Sequence, residues 1–236
     1  MLLAFETVAR SASACLVDDR GRELAYRDLA GGEAEKGLIS LLDGLIREFG
    51  NPSALAVAAG PGSFTGLRIG LVAARTLAWL EGLPVHGVDS LVARACEAGD
   101  GRWWVLAPLK RDTTFQALVE VVGGVPRVLD PTAAIPDGQP LPTHPLRSGA
   151  VAIGPALTAK PGLAERWCPA ARLGSPAALT ARGVALAGRH QPASGWEQLL
   201  PAYHQLSAPE LQRAALRGPE VRVSGSPEVD IPVEPR

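Results

Sequence analysis

Hydrophobic residues alternate along the chain between short strand-like runs and longer helical repeats. Apolar runs in the first thirty residues predict three consecutive strands, at residues 2–6, 13–18 and 22–29. Leucine and isoleucine then recur at spacings of three and four within residues 33–49, which predicts an amphipathic helix ending at Gly50. A strand at 54–59, a helix at 67–80, a strand at 85–88 and a helix at 90–98 follow. This order predicts a mixed sheet with helices packed on it.

A polar break at residues 97–101 separates this half from a second unit. Strands are predicted at 103–109, 114–122 and 150–153, and helices at 156–167, 176–190 and 207–217. Residues 126–148 are dense in proline and glycine, which predicts a long irregular connection. We therefore expect an α/β chain with domains at 1–99 and 100–206. We also expect the helix at 207–217 to pack back on the first domain, and a disordered tail at 218–236.

The turn between the strand at 54–59 and the following helix is the centre of the sequence. Pro61 lies between two glycines and forbids helix there, and Ser63 or Thr65 can cap the helix start. Amides at a helix start attract anions, so phosphate binding is one interpretation. However, no lysine follows Gly66, and the glycines are out of register with G-x-G-x-x-G. A tight structural turn is the favoured interpretation.

Small residues lie on one face of the helix that follows this turn. They are Gly66, Gly70, Ala73 and Ala74, together with Leu77 and Ala78. Such a face allows close approach, either of the chain's own sheet or of a partner helix, and the sequence leaves both open. Leu41 and Leu45 of the preceding helix are added as candidate partner contacts.

Residues 60–70 read Gly-Pro-Gly-Ser-Phe-Thr-Gly-Leu-Arg-Ile-Gly without interruption. This run resembles the G-P-G-S-F-T-G-[LV]-R-[IV]-G signature of the bacterial TsaB proteins. The strand end at Glu6-Thr7 and the stretch Gly87–Leu91 resemble elements that flank the signature in that family. The signature residues carried over are Gly60, Pro61, Gly62, Ser63, Phe64, Thr65 and Arg68.

The resemblance implies a non-catalytic dimerisation subunit of the machinery that makes N6-threonylcarbamoyladenosine next to the anticodon of tRNA. It implies two actin-like domains, of the ASKHA and ribonuclease H-like type, with mixed sheets flanked by helices. The implied partners are a TsaD-like transferase, which would hold the metal and carry out the transfer, and a TsaE-like ATPase. The tRNA would be reached only through the complex, and a homodimer is expected through the same helical face.

The chain departs from that family at several positions. Glu6 stands where relatives usually carry aspartate, Glu33-Ala34-Glu35 replaces a His-Ser-Glu or His-Thr-Gln element, and residues 110–115 only faintly resemble a second family motif. An actin-like kinase needs a glycine turn after its first strand to contact phosphates, and Glu6-Thr7-Val8-Ala9 supplies none. We therefore expect no catalytic residue and no cofactor. A drifted small-molecule kinase remains an alternative, as does a peptidase-like hydrolase using Ser63.

Composition argues against several further classes of protein. Of the 236 residues, 47% are hydrophobic, as expected for a globular chain. The net charge is -1, so we do not expect the chain to bind RNA by itself. Cys15, Cys96 and Cys168 lie far apart, and the four histidines show no paired spacing, so no metal site is predicted. The N-terminal segment lacks the pattern of a signal peptide, and no apolar run is long enough to span a membrane. A cytoplasmic protein is expected.

Overall fold

The computed structural model describes residues 1–9, 11–30, 34–175 and 178–202, apart from the side chains of residues 34 and 35. The helix predicted at 207–217 and the tail predicted at 218–236 lie outside the described residues.

The first sheet has five strands in the order β3-β2-β1-β4-β5. They are β1 (Leu2–Glu6), β2 (Ala12–Val17), β3 (Glu23–Leu29), β4 (Ala54–Gly60) and β5 (Val85–Asp89). The first three form an antiparallel meander, and β4 and β5 run parallel to β1. Every residue of β1 is buried, because this central strand is covered on both faces.

Helices cover both faces of the first sheet. They are α1 (Ala34–Phe49), α2 (Phe64–Glu81) and α3 (Ser90–Glu97), with α6 (Ala181–Gly188) joining from the far end of the chain. The alternation of side chains along β4 separates the faces: Val57 packs near Gly70 of α2, whereas Ala56 packs near Gly188 of α6. Helices α1 and α2 therefore share one face of the sheet, and α3 and α6 share the other.

The second sheet has five strands in the order β10-β9-β6-β7-β8. They are β6 (Gly101–Lys110), β7 (Thr113–Val122), β8 (Val125–Pro136), β9 (Val151–Ile153) and β10 (Arg172–Leu173), with short helices α4 (Ala156–Ala159) and α5 (Leu163–Trp167). Its side chains alternate between two cores. Val105 and Val119 face the main core that contains α3, whereas Trp104 and Leu118 face a smaller cluster on the opposite side.

The strand β8 differs from the irregular connection predicted at 126–148. It pairs antiparallel with β7 from Val125 to Pro136 despite containing Pro126, Pro131 and Pro136. The reason is its place at the edge of the sheet, where proline is tolerated because an outward N–H has no strand to pair with. The helix predicted at 156–167 is likewise divided into α4 and α5 by Gly162, whose φ is 77°.

The last described helix returns to the first sheet after the second sheet is complete. The amide of Ala181 donates to Ser13 Oγ of β2 at 2.9 Å, and a Cβ on Gly183 would lie 2.4 Å from Ala93 O of α3. At its N-terminus, Thr180 donates from its amide and its hydroxyl to the Glu97 carboxylate, at 2.9 and 2.6 Å. The division into domains at 1–99 and 100–206 stays a prediction, with α6 packed on the strands of the first.

Candidate partner surface beside a closed phosphate turn

Helix α2 starts earlier than its apolar repeat indicates, because Ser63 caps it. The Ser63 hydroxyl accepts from Gly66 N at 3.3 Å, and its carbonyl accepts from Leu67 N at 2.8 Å. Its own amide donates to Val8 O at 3.1 Å, in the turn after β1. The amide hydrogens of Ser63 and Gly66 are therefore engaged within the chain and do not point to a free anion site.

The glycines of the signature loop permit contact between this turn and α2. A Cβ on Gly62 would lie 2.5 Å from the Cβ of Val8, one on Gly66 would lie 1.9 Å from Thr7 O, and one on Gly70 would lie 2.4 Å from Thr7 Oγ1. Side chains at these positions would push the two segments apart. The glycines thus serve close packing between β1's turn and α2, which is the structural interpretation of the motif.

Glu6 is the last residue of β1, at the start of the turn that packs against α2. Its Oε2 accepts from Val8 N and Ala9 N, each at 3.1 Å, and its Oε1 accepts from Ser13 Oγ at 3.4 Å. The carboxyl is 1% exposed, and burial raises its pKa to about 7, against the lowering effects of the two amides and of Arg94. The chain's own carboxyl therefore engages the turn amides that would otherwise be available to an anion.

The small-residue face of α2 packs inward. Gly66, Gly70, Ala73 and Ala74 are buried, Ala74 with no exposed surface, and they lie against Thr7 and the first sheet. Leu45 is also buried, while Leu41 and Leu77 are half-buried against the same core. The chain's own sheet covers these small residues, so a partner on this side can meet only the outward side chains.

The outward side of α2 carries a ridge that we define as Phe64, Arg68, Val72, Arg75 and Trp79. Their spacings of four, four, three and four residues keep them on one side of the helix. Phe64, Val72 and Trp79 are 59%, 63% and 61% exposed. Large apolar side chains in a row on an exposed helix face indicate a surface that another protein covers.

A groove of ≈ 490 Å³ follows this ridge, between α2 and α1. The α1 wall adds Leu38 and Ile39, the latter 61% exposed, and Arg68 is the only charged side chain that lines the groove among the described residues. On the other flank, the Arg75 guanidinium lies 5.7 Å from the ring of Trp196, in a 3₁₀ turn at Trp196–Gln198. Phe64 and Arg68 were expected from the signature.

Ile39, Val72 and Trp79 are not among the residues predicted from the sequence. The signal that could have found them is that α2 is apolar on its outer side as well as its inner side, whereas a surface helix is normally polar outside. Within the part of the chain that the structure describes, no cluster of three His, Cys, Asp or Glu side chains could hold a metal ion. Over the same residues, no helix is long and apolar enough to cross a membrane.

Comparison with known proteins finds relatives that match part of the chain. A family model described as "TsaD: tRNA N6-adenosine threonylcarbamoyltransferase" matches residues 38–102. The tRNA threonylcarbamoyladenosine biosynthesis protein TsaB of Bacillus subtilis is 36% identical over 75 residues, 31% of this chain and 33% of the relative. The TsaB of Haemophilus influenzae is 35% identical over 98 residues, 40% of this chain and 41% of the relative. Over these segments the chain is similar to TsaB proteins.

Solved structures extend the likeness in fold to most of the chain. A Pseudomonas aeruginosa protein with similarity to peptidase YEAZ superposes with a TM-score of 0.71 at 24% identity, covering 86% of this chain and 99% of that one. YeaZ from the same organism gives 0.68 at 23%, covering 86% and 98%. The predicted class, mixed α/β with two sheets flanked by helices, is confirmed. The matched segments span only 33% and 41% of the lengths of the two curated relatives.

Proposed function

We propose that this protein is a non-catalytic subunit of the complex that makes N6-threonylcarbamoyladenosine in tRNA, and that it docks a TsaD-like transferase. The observation that carries the proposal is the exposed apolar ridge of α2, which lies inside the segment that matches the TsaD family model. The resemblance of residues 60–70 to the TsaB signature supports the same role.

The match to a TsaD family model also suggests how this chain and a TsaD-like transferase would pack together. Residues 38–102 contain most of α1 and all of α2 and α3, so a TsaD-like protein has counterparts of these helices. A surface that packs on a related surface forms a pseudo-symmetric contact, in which similar helices face each other. The α2 ridge and the groove beside α1 are the exposed surface of this segment that suits such a contact.

The non-catalytic part of the proposal is supported by the turn after β1. Glu6 engages the amides of Val8 and Ala9, and Thr7 and Val8 pack against the start of α2. A nucleotide phosphate would have to displace these contacts. We propose that the chemistry belongs to the TsaD-like partner, with a TsaE-like ATPase joining the assembled complex, in the cytoplasm, and that tRNA contacts the chain only through the complex.

The test combines binding and activity. The purified chain is mixed with the TsaD-like transferase of the same organism, and the complex is measured by sedimentation velocity. Formation of modified tRNA is then assayed with each protein alone and with both, together with the TsaE-like ATPase. We expect a stable complex, and activity that requires the chain although the chain alone forms no product.

A pair of surface variants locates the contact. Val72→Asp places a charge at the centre of the ridge and should weaken the complex by at least about 30-fold, on the order of 2 kcal/mol. Val125→Asp makes the same change on β8, where Val125 is 49% exposed, and should leave binding unchanged. Equal binding by both variants would move the contact away from α2, and failure of the wild-type chain to bind would reject the proposed function.

A further inference from the structure

Two arginines interrupt the apolar ridge of α2. The Arg68 guanidinium lies 5.7 Å from the ring of Phe64, and the Arg75 guanidinium lies 5.7 Å from the ring of Trp196. No carboxylate among the described residues is within ion-pair distance of either one. The only acidic residue of α2 is Glu81, at its C-terminal end. Among the described residues, both cations therefore have no carboxylate partner on the surface that is proposed to be covered.

The two acids of α1 whose side chains the structure describes are paired with other arginines. On α1, Asp43 pairs with Arg47 at 2.8 Å, and Glu48 pairs with Arg27 of β3 at 3.4 Å. Covering the ridge with an apolar surface would remove water from two guanidinium groups without replacing their hydrogen bonds, which is strongly unfavourable. A partner that binds here has to bring its own acceptors for Arg68 and Arg75.

A second copy of the chain does not bring them. Phe64 and Trp79 end the ridge, and Arg68 and Arg75 each lie four residues inside those ends. In an antiparallel two-fold pairing about the centre of the ridge, Arg68 of one copy faces Arg75 of the other, and this happens twice. In a parallel pairing, each arginine faces its own equivalent. Both arrangements place like charges together, which disfavours association.

We propose that Arg68 and Arg75 are specificity-determining residues of this surface, which fits a partner helix carrying carboxylates opposite both arginines and therefore favours hetero-association over self-association. This inference rests on the proposed function, because it describes the partner of the same ridge. The seven-residue separation of the arginines is about 10.5 Å along α2, so the matching acids stand about two turns apart on the partner helix.

The ridge fits a protein better than a nucleic acid. Between and beside the arginines stand Phe64, Val72 and Trp79, and the groove next to them is lined by aliphatic side chains of α1. A nucleic-acid surface would carry a cluster of cations, whereas here only two are present on the ridge and the whole chain has a net charge of -1.

The test uses charge variants of the full chain with the TsaD-like transferase. Arg68→Gln and Arg75→Gln should each weaken the complex about tenfold and should strengthen self-association. Arg68→Glu should weaken the complex further, yet tighten an antiparallel self-dimer, since the new carboxylate then faces Arg75 of the second copy. The double variant Arg68→Glu/Arg75→Glu restores like-charge pairs and should lose that gain. Wild-type complex formation should weaken as salt is raised, and self-association should strengthen.

Arg22→Gln is the control, because Arg22 is an exposed arginine on the far β2–β3 turn, paired with Asp18 at 3.2 Å. It should change neither equilibrium. The inference is overturned if the glutamine variants bind the transferase as the wild type does, or if tRNA binds the free chain in an Arg68-dependent way. If the wild type forms the complex and the variants bind equally well, only this inference is rejected and the proposed function stands. If the wild type forms no complex, the proposed function itself is rejected.

Discussion

Thr7 Oγ1 donates a buried hydrogen bond of 2.6 Å to the carbonyl oxygen of Gly66. This bond joins the turn after the central strand β1 to the first turn of α2, fifty-nine positions later in the chain. It closes the turn against α2 and fixes where the outward ridge of that helix begins. The turn after β1 and the proposed docking surface are therefore mechanically linked.

Replacement of Thr7 by valine tests this link. Thr7→Val keeps the side-chain shape, removes the donor and leaves the buried Gly66 carbonyl without it, so we expect a loss of about 1–2 kcal/mol in the free energy of unfolding. Thr65→Val, at an exposed position in the first turn of α2, serves as the control and should be near neutral. Urea denaturation monitored by circular dichroism measures both. Equal stability of the two variants would contradict the proposed link.

Two glycine-to-alanine changes in helices should have opposite signs. Gly66→Ala would place a methyl group 1.9 Å from Thr7 O, so a loss of about 2–4 kcal/mol is expected as the turn is forced away. Gly44→Ala in α1 meets nothing within 4 Å and should stabilise by about 0.5–1 kcal/mol through its helix propensity. The unfolding midpoints of both variants in urea decide this, and a neutral Gly66→Ala would show that the contact is not tight.

Glu6 should give the stability an unusual pH dependence. Its pKa rises from 4.5 to about 7 on folding, so the folded state binds more protons than the unfolded state between these values. The protonated carboxyl contributes fully to the free energy of unfolding below about pH 4.5. This contribution falls by about 3 kcal/mol as the pH rises to 7. The charged group that acts on Glu6 is Arg94 of α3, which opposes the rise in pKa.

Glu6→Gln removes this titration while preserving an acceptor for Val8 N and Ala9 N. Its free energy of unfolding should therefore lack the wild-type decline between pH 5 and 8. Glu81→Gln, at an exposed position of α2, should retain it. Parallel pH profiles of the wild type and Glu6→Gln would show that Glu6 titrates with an ordinary pKa.

A charge on the inner face of α2 should unfold the protein rather than only dissociate it. Ala74 has no exposed surface, and arginine there would bury a charge and overfill the core, at a cost of about 3–5 kcal/mol. Val72→Arg, two residues away and 63% exposed in the wild type, should remain folded. Thermal melts followed by circular dichroism distinguish them, and a folded Ala74→Arg with native stability would show that this face is open.

Nucleotide binding is expected to be negligible. The turn amides of Val8 and Ala9 already donate to Glu6, so Mg-ATP has few donors to engage. Calorimetric titration should give no saturable heat, whereas a low-micromolar dissociation constant, about 8 kcal/mol, would favour the kinase alternative.

The sequence was most informative where local pattern and tertiary role agree. β1 was predicted at its observed bounds, and α1 and β5 within a residue or two, because their apolar spacing reflects the faces that the sheet buries. The cap at Ser63 starts α2 three residues before its apolar repeat. The strand β8 was not predicted, because a segment rich in proline indicates a loop unless the strand is known to lie at the edge of a sheet.

The candidate surface was only half accessible from sequence. Small residues on α2 indicate that another element approaches the helix closely, but they do not identify that element. The contact that identifies it is with Thr7, in a turn far away in the chain. The signature includes Phe64 and Arg68, but which side of α2 points outward depends on where the sheet lies. Three-dimensional burial was needed to separate the inner face from the ridge.

The return of α6 to the first sheet determines when that sheet can be completed during synthesis. The part of the sheet that α6 covers, at β1, β2 and β4, lacks this cover until residue 188 has been made. By then, all the strands of the second sheet have been made. A nascent chain stopped near residue 99 therefore exposes buried positions such as Ala56 and Ser13 to solvent or to chaperones. The first sheet therefore reaches its final packing only after every strand of the second sheet has been made.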